Sequence, residues 1–131
     1  MDIVEKINSG ITIISDRYAY SGVCYSTAKG LNVEWCKNCD KGLPQPDIIF
    51  YLYASEEVTS KRGGFGEEIY ENNSFQKKVR FEFEGLLRNE KNVVRIDTEK
   101  SLDEVHQEIK DHLDVLMQKR LKCELDKLWM E

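Results

Sequence analysis

The stretch Gly10-Ile11-Thr12-Ile13-Ile14-Ser15-Asp16-Arg17-Tyr18, continuing as Ala19-Tyr20-Ser21-Gly22, decides the fold class. An apolar, β-branched run stops at an adjacent acid and base, and small residues follow. Such a run reads as a buried parallel strand over Ile11–Ser15, and charge at the carboxyl end of such strands is where open α/β folds build phosphate sites. Arg17 can fork onto a phosphate, Asp16 can hold a metal ion or a water, and Ser21-Gly22 lets backbone approach a ligand closely. The competing reading makes Asp16 and Arg17 an ion pair at the start of a helix that Asp16 caps.

Two further apolar runs extend the pattern. Ile48–Tyr53 is almost continuously apolar and predicts a second buried strand, and Val93–Asp97 a third, shorter one. Helical segments separate them. Ile3–Asn8 reads as the end of a helix stopped by Asn8-Ser9-Gly10. A helix starts near Ser21 and ends at Gly30, and Val33–Cys36 opens a short one. Ser55 caps a helix reaching Arg62, with Glu56 and Glu57 in its first turn. Phe75, Val79, Phe83 and Leu86 mark the buried stripe of a helix ending near Arg88. Ser101 and Glu104 form a capping box before the last helix, striped by Val105, Ile109, Leu113 and Leu116. Alternating strands and helices predict an α/β fold with a parallel sheet, flanking helices and right-handed crossovers.

Composition narrows the function classes. The 131 residues suit one domain, with 40% hydrophobic and 33% charged residues, the balance of a soluble globular chain. A net charge of −5 argues against a dedicated nucleic-acid binder but not against a small phosphate ligand. No apolar run reaches membrane-spanning length and the start does not read as a secretory signal, so no membrane partner is expected and cytoplasm is the default compartment. Cys36 and Cys39 form a C-x-x-C, but Cys24 and Cys123 do not make a second pair. Reduced thiols without a metal are the expected state.

A second charged segment, Ser60-Lys61-Arg62-Gly63-Gly64-Phe65-Gly66-Glu67-Glu68-Ile69-Tyr70-Glu71, sets two cations beside three glycines and an aromatic. It reads either as a lid closing over an anionic substrate or as an exposed loop of solvated charge. Asp97-Thr98-Glu99-Lys100-Ser101 after the third strand occupies a ligand position in such folds, and taken alone is a helix cap.

Together, DRYAYSGVCYSTAKG (16–30), EWC, GLPQPD, KRGGFGEEIYENNSFQ (61–76) and a terminal LWM resemble thymidylate kinases, the eukaryotic and poxviral branch in particular. The resemblance spans essentially the whole chain. It implies a fold like that of the P-loop nucleoside monophosphate kinases and phosphorylation of dTMP to dTDP by ATP with Mg2+. Arg17 matches the arginine on the dTMP phosphate, and Asp16 the acid beside magnesium and phosphates. Ser21, Gly22 and Tyr25 match the wall receiving the monophosphate, and Tyr70 the lid tyrosine near the sugar. Arg62 matches the lid arginine that reaches ATP, in a lid of about Leu52 to Gln76, while Lys100 and Lys110 match positions on the ATP side. Family members commonly form homodimers.

The resemblance also implies what to expect beyond these residues. Family members are longer at the front, where a strand, the glycine-rich loop G-x-x-x-x-G-K-S/T and the thymine-recognition helices belong. No such glycine-rich motif occurs in the 131 residues. The expectation is therefore the C-terminal part of a thymidylate kinase, an incomplete fold lacking the first two strands, marginal alone and nearly or wholly inactive as a kinase. A catalytically inactive short paralogue that binds a nucleotide or a partner, and a subunit complemented by a separate glycine-loop chain, are the alternatives.

Overall fold

The computed structural model describes residues 2–62, 73–119 and 125–130. Most of the Gly-rich segment, with Ile69 and Tyr70, and also Cys123, lie outside the described residues. Helices and strands alternate as α1 (Ile3–Asn8), α2 (Ala19–Ala28), α3 (Val33–Asn38), β1 (Ile49–Tyr53), α4 (Glu56–Lys61), α5 (Asn73–Leu87), β2 (Val93–Asp97) and α6 (Leu102–Gln118). The chain divides into two compact units. The first comprises Met1–Gln45, Lys78–Arg88 and Glu124–Glu131, the second Pro46–Lys77 and Asn89–Cys123.

In the first unit α2 packs on α3. Its core takes Ala19, Tyr20, Val23 and Cys24 from α2, Cys36 from α3, Val79 and Leu87 from α5, and Leu128 from the C-terminal segment. Helix boundaries follow local chemistry. Asn32 caps α3 by accepting the Trp35 N–H at 2.9 Å. Gly10 and Gly30 end α1 and α2 with φ of 82° and 97°, a left-handed turn that glycine enters without a Cβ clash. Helix α1 ends at Asn8, where Asn8-Ser9-Gly10 was expected to stop it. Asp2 and Glu5 form a capping box that starts it, and none of its residues is buried.

In the second unit β1 and β2 pair in parallel, from Ile49 opposite Val93 to Tyr53 opposite Asp97. The crossover between them carries α4 and α5, as parallel pairing requires. Helix α6 packs against β2, burying Val105, and the His112 ring meets Phe50 at 6.3 Å. Ile96 is fully buried. Strand β1 is shorter and wetter than its apolar sequence predicts: Leu52 and Tyr53 are exposed.

The largest correction concerns Ile11–Ser15. These residues form no strand, and among the described residues the sheet has two strands, β1 and β2. Ile14 is 85% exposed and Ile11 is 49% exposed. β-branched residues favour extended backbone, but a strand exists only when another strand closes its N–H and C=O groups. No described segment does this for 11–15.

Candidate phosphate-binding clusters

In the first unit, the predicted residues Arg17, Ser21 and Tyr25 converge. Arg17 has φ 66°, a left-handed conformation that costs a non-glycine residue about 1–2 kcal/mol. The Ser15 hydroxyl donates to the Arg17 carbonyl at 2.7 Å across this bend. The next residue, Tyr18, is extended and forms the N-cap of α2. This backbone turns the Arg17 side chain along the first turn of the helix. Its Nε donates to Ser21 Oγ at 2.6 Å, and its guanidinium carbon lies 4.7 Å from the Tyr25 ring centroid. Ser21 is itself buried. The i, i+4 spacing of Arg17, Ser21 and Tyr25 lets one helix face hold the guanidinium in place.

Among the described residues neither Nη of Arg17 donates to a protein acceptor. Asp16 is exposed, with no hydrogen bond or ion pair among the described residues. The competing reading is therefore not what the chain builds. Asp16 does not pair with Arg17, and the cap position belongs to Tyr18, whose side chain makes no capping hydrogen bond. Gly22 lies on α2 beside the cluster, and a Cβ added there would meet nothing within 4 Å.

The other face of α2 borders a cavity of about 310 Å³ lined by Val23, Cys24, Thr27, Glu82 and Leu86. Burial, with a smaller contribution from Glu82, pushes the Cys24 thiol up to about 12, so it stays protonated and unreactive near neutrality. Cys24, Cys36 and Cys39 are free thiols, and no group of three or more metal-type side chains occurs among the described residues.

In the second unit the loops leaving β1 and β2 are tied together. Thr98 donates from its N–H and from its hydroxyl to the Tyr53 carbonyl, both at 2.9 Å. The Ser55 N–H donates to the Glu99 carboxylate at 2.7 Å, and the Glu99 N–H to Asp97 at 2.9 Å. Arg62, just past α4, donates from Nη2 to the Thr98 carbonyl at 2.6 Å and from Nη1 to its hydroxyl at 3.3 Å. The strand-to-helix position of Thr98 and Glu99 was legible in the sequence, but these partners were not, because they lie 36 to 45 residues away.

The two lysines expected on the ATP side are each paired with an acid. Lys100 pairs with Glu108 at 3.0 Å, a hydrogen bond that raises its pKa, and Lys110 pairs with Asp114 at 3.1 Å. Lys110 sits nine residues beyond Ser101, roughly 13 Å along α6. The described residues thus place Arg62 at the strand ends and Lys110 on the flank of a helix.

Hydrogen bonding from Ser55, side chain first and then N–H, holds the Glu99 carboxyl below its ordinary pKa, and Arg62 adds to this. A depressed folded-state pKa means the clamp is complete above the unfolded value and weakens as pH falls through the folded one. The Ser55 amide resonance is expected to titrate with a midpoint below the ordinary glutamate range. Glu99→Gln removes that titration, and a Ser55 shift insensitive to acid in the unaltered chain would contradict the clamp.

Comparison with known proteins places these features in a family context. The thymidylate kinase family model matches residues 1–109. Thymidylate kinase of Dictyostelium discoideum is 46% identical over 112 residues, covering 86% of this chain and 50% of that protein. The human thymidylate kinase is 36% identical over 129 residues, covering 97% of this chain and 61% of its own length. The structure of Candida albicans thymidylate kinase superposes with a TM-score of 0.73 at 28% identity, over 85% of this chain and 58% of that one. The chain thus spans about half to three-fifths of the length of these relatives.

Proposed function

Because the chain belongs to the thymidylate kinase family, we propose that it supplies the dTMP side of a site transferring the ATP γ-phosphate to dTMP, giving dTDP. The observation that carries this reading is Arg17: its Nε is anchored on Ser21 and its guanidinium lies over Tyr25, while both Nη groups have no protein acceptor among the described residues. A planar guanidinium held at one edge and open at the other two nitrogens suits two parallel hydrogen bonds to a phosphate. The left-handed backbone at Arg17 is strain of the kind that collects at binding sites.

Phosphoryl transfer asks the protein mainly for positioning and charge neutralisation. Arg17 orients the acceptor phosphate and offsets its charge. Mg2+ typically takes one or two carboxylates and completes its sphere with phosphate oxygens and water, and the exposed Asp16 carboxylate, without an ion pair among the described residues, fits that role. When bound, the ion would draw negative charge from the phosphates. Arg62, Lys100 and Lys110 belong to the ATP side in this reading, and each would exchange its present partner, Thr98, Glu108 or Asp114, for nucleotide. Tyr70 is assigned to the sugar by family likeness alone.

Gly22 gives a separable prediction. Inside a helix glycine costs about 0.5–1 kcal/mol relative to alanine, and an added Cβ here has open space. Gly22→Ala is expected to raise the urea midpoint while weakening dTMP binding, because by family likeness Gly22 belongs to the wall that receives the nucleotide. A variant both more stable and equally good at binding dTMP would remove Gly22 from the site.

The reading is tested by calorimetric titration of the chain with dTMP and with thymidine, followed by assay of dTDP formation from ATP. Binding of dTMP well above thymidine supports the phosphate site, and equal binding sinks it. With no G-x-x-x-x-G-K-S/T among the 131 residues, turnover by this chain alone is expected to be very low, rising when a polypeptide bearing such a loop is added. That same missing motif favours a second reading, a nucleotide-binding module without turnover; dTMP binding with no dTDP in any complemented mixture supports it.

A further inference from the structure

Among the described residues, two non-glycine residues have left-handed backbone, Arg17 and Trp129 (φ 53°), and both belong to the first unit. For a bulky aromatic such a φ is held only when surrounding contacts impose it. The contacts around Trp129 form a short antiparallel ribbon between segments more than eighty residues apart in sequence. The Leu128 N–H donates to the Leu43 carbonyl at 2.9 Å, the Gly42 N–H to the Leu128 carbonyl at 3.0 Å, and the Gln45 N–H to the Asp126 carbonyl at 2.8 Å. Pro44 bridges Lys127 within it, and Leu128 is buried to 2% exposure.

This ribbon grips the start of α2 at two points. The Tyr18 hydroxyl donates to the Pro44 carbonyl at 3.0 Å. The Tyr20 ring meets the Trp129 indole edge-on, with centroids 5.6 Å apart and planes at 81°, a favourable aromatic geometry. Tyr18 and Tyr20 directly follow Arg17 and precede Ser21, the two groups joined by the hydrogen bond from Nε. The N-cap of α2 makes no side-chain capping bond. Local capping therefore does not fix the first turn, and the ribbon supplies the long-range contacts that do.

We propose that Tyr18 and Trp129 are positioning residues for the Arg17–Ser21–Tyr25 cluster, acting through the ribbon of residues 42–45 and 126–128. The inference rests on the reading that this cluster takes the phosphate of dTMP. A guanidinium aimed at a phosphate loses much of its value if displaced by about 1 Å. The ribbon therefore sets phosphate affinity from a surface that touches no phosphate.

The test uses the full chain and the variants Tyr18→Phe, Trp129→Gly, Trp129→Phe and Arg17→Ala, each titrated with dTMP and with thymidine. Tyr18→Phe deletes one hydroxyl and keeps the ring. Trp129→Gly accepts the left-handed backbone and deletes the indole, and Trp129→Phe restores an aromatic edge. The expected result is a three- to tenfold fall in dTMP affinity for Tyr18→Phe and Trp129→Gly, the scale of one lost hydrogen bond or ring contact. Thymidine binding should hardly change, and Trp129→Phe should recover most of the loss. The Arg17 Hε resonance, shifted by its bond to Ser21, should move in the two weakened variants without ligand present.

Equal loss of dTMP and thymidine affinity would mean a merely structural role and overturn the proposal. So would unchanged dTMP affinity and an unmoved Arg17 Hε signal in Tyr18→Phe, a variant mild enough to decide the matter if Trp129→Gly does not fold. If Arg17→Ala leaves the preference for dTMP over thymidine intact, the phosphate reading itself fails, and the Hε signal still reports whether the ribbon positions Arg17.

Discussion

Arg17→Ala and Arg17→Gly are both expected to lose about a hundredfold in dTMP affinity while leaving thymidine affinity nearly unchanged. Two charge-assisted hydrogen bonds from one guanidinium contribute on that scale. The two variants should differ in stability. Position 17 has φ 66°, where alanine is strained and glycine is not. Arg17→Gly is therefore expected to unfold at a higher urea concentration than Arg17→Ala, by about 1 kcal/mol. Equal stability of the two variants would show that the left-handed backbone at position 17 does not strain alanine. Unequal binding between the two would show that backbone shape, and not only the guanidinium, recognises the ligand.

Ile96→Ala is expected to destabilise the second unit by about 3–4 kcal/mol, measured as lost hydrogen-exchange protection across β1, β2 and the Thr98 clamp. Ile96 is wholly buried, and the cost of truncating a buried isoleucine includes the cavity left behind. Only Ala54, Ile96 and Val105 are buried hydrophobic residues among the described part of that unit, so little remains to compensate. Phe81→Ala removes more atoms yet should change stability by no more than about 0.5 kcal/mol, because that ring is 75% exposed. A loss at Ile96 no greater than at Phe81 would place the core elsewhere.

Much of the local structure was readable from residue order. Ser55 accepts the Val58 N–H and Ser101 the Glu104 N–H, as a Ser with acids one to three residues on suggests. The stripe of Val105, Ile109, Leu113 and Leu116 faces inward to varying depth. The α1 capping box of Asp2 and Glu5 is of the same local kind. Within the candidate site, the identities of Arg17, Ser21 and Tyr25 came from likeness to a family, and their i, i+4 spacing made the meeting on one helix face a local matter.

Two outcomes were not local. Ile11–Ser15 has the composition of a buried strand and forms none, since strand hydrogen bonds belong to a pair of segments. Thr98 reads as a cap residue and is the junction between two strand ends and Arg62. The sequence alone determined the Ser55 and Ser101 caps of α4 and α6, since those depend on contacts three residues apart. Tertiary structure alone decided which apolar run became a strand, how Thr98 came to join two strand ends and Arg62, and how segments 42–45 and 126–129 came to buttress Tyr18 and Tyr20, since those depend on partners tens of residues away.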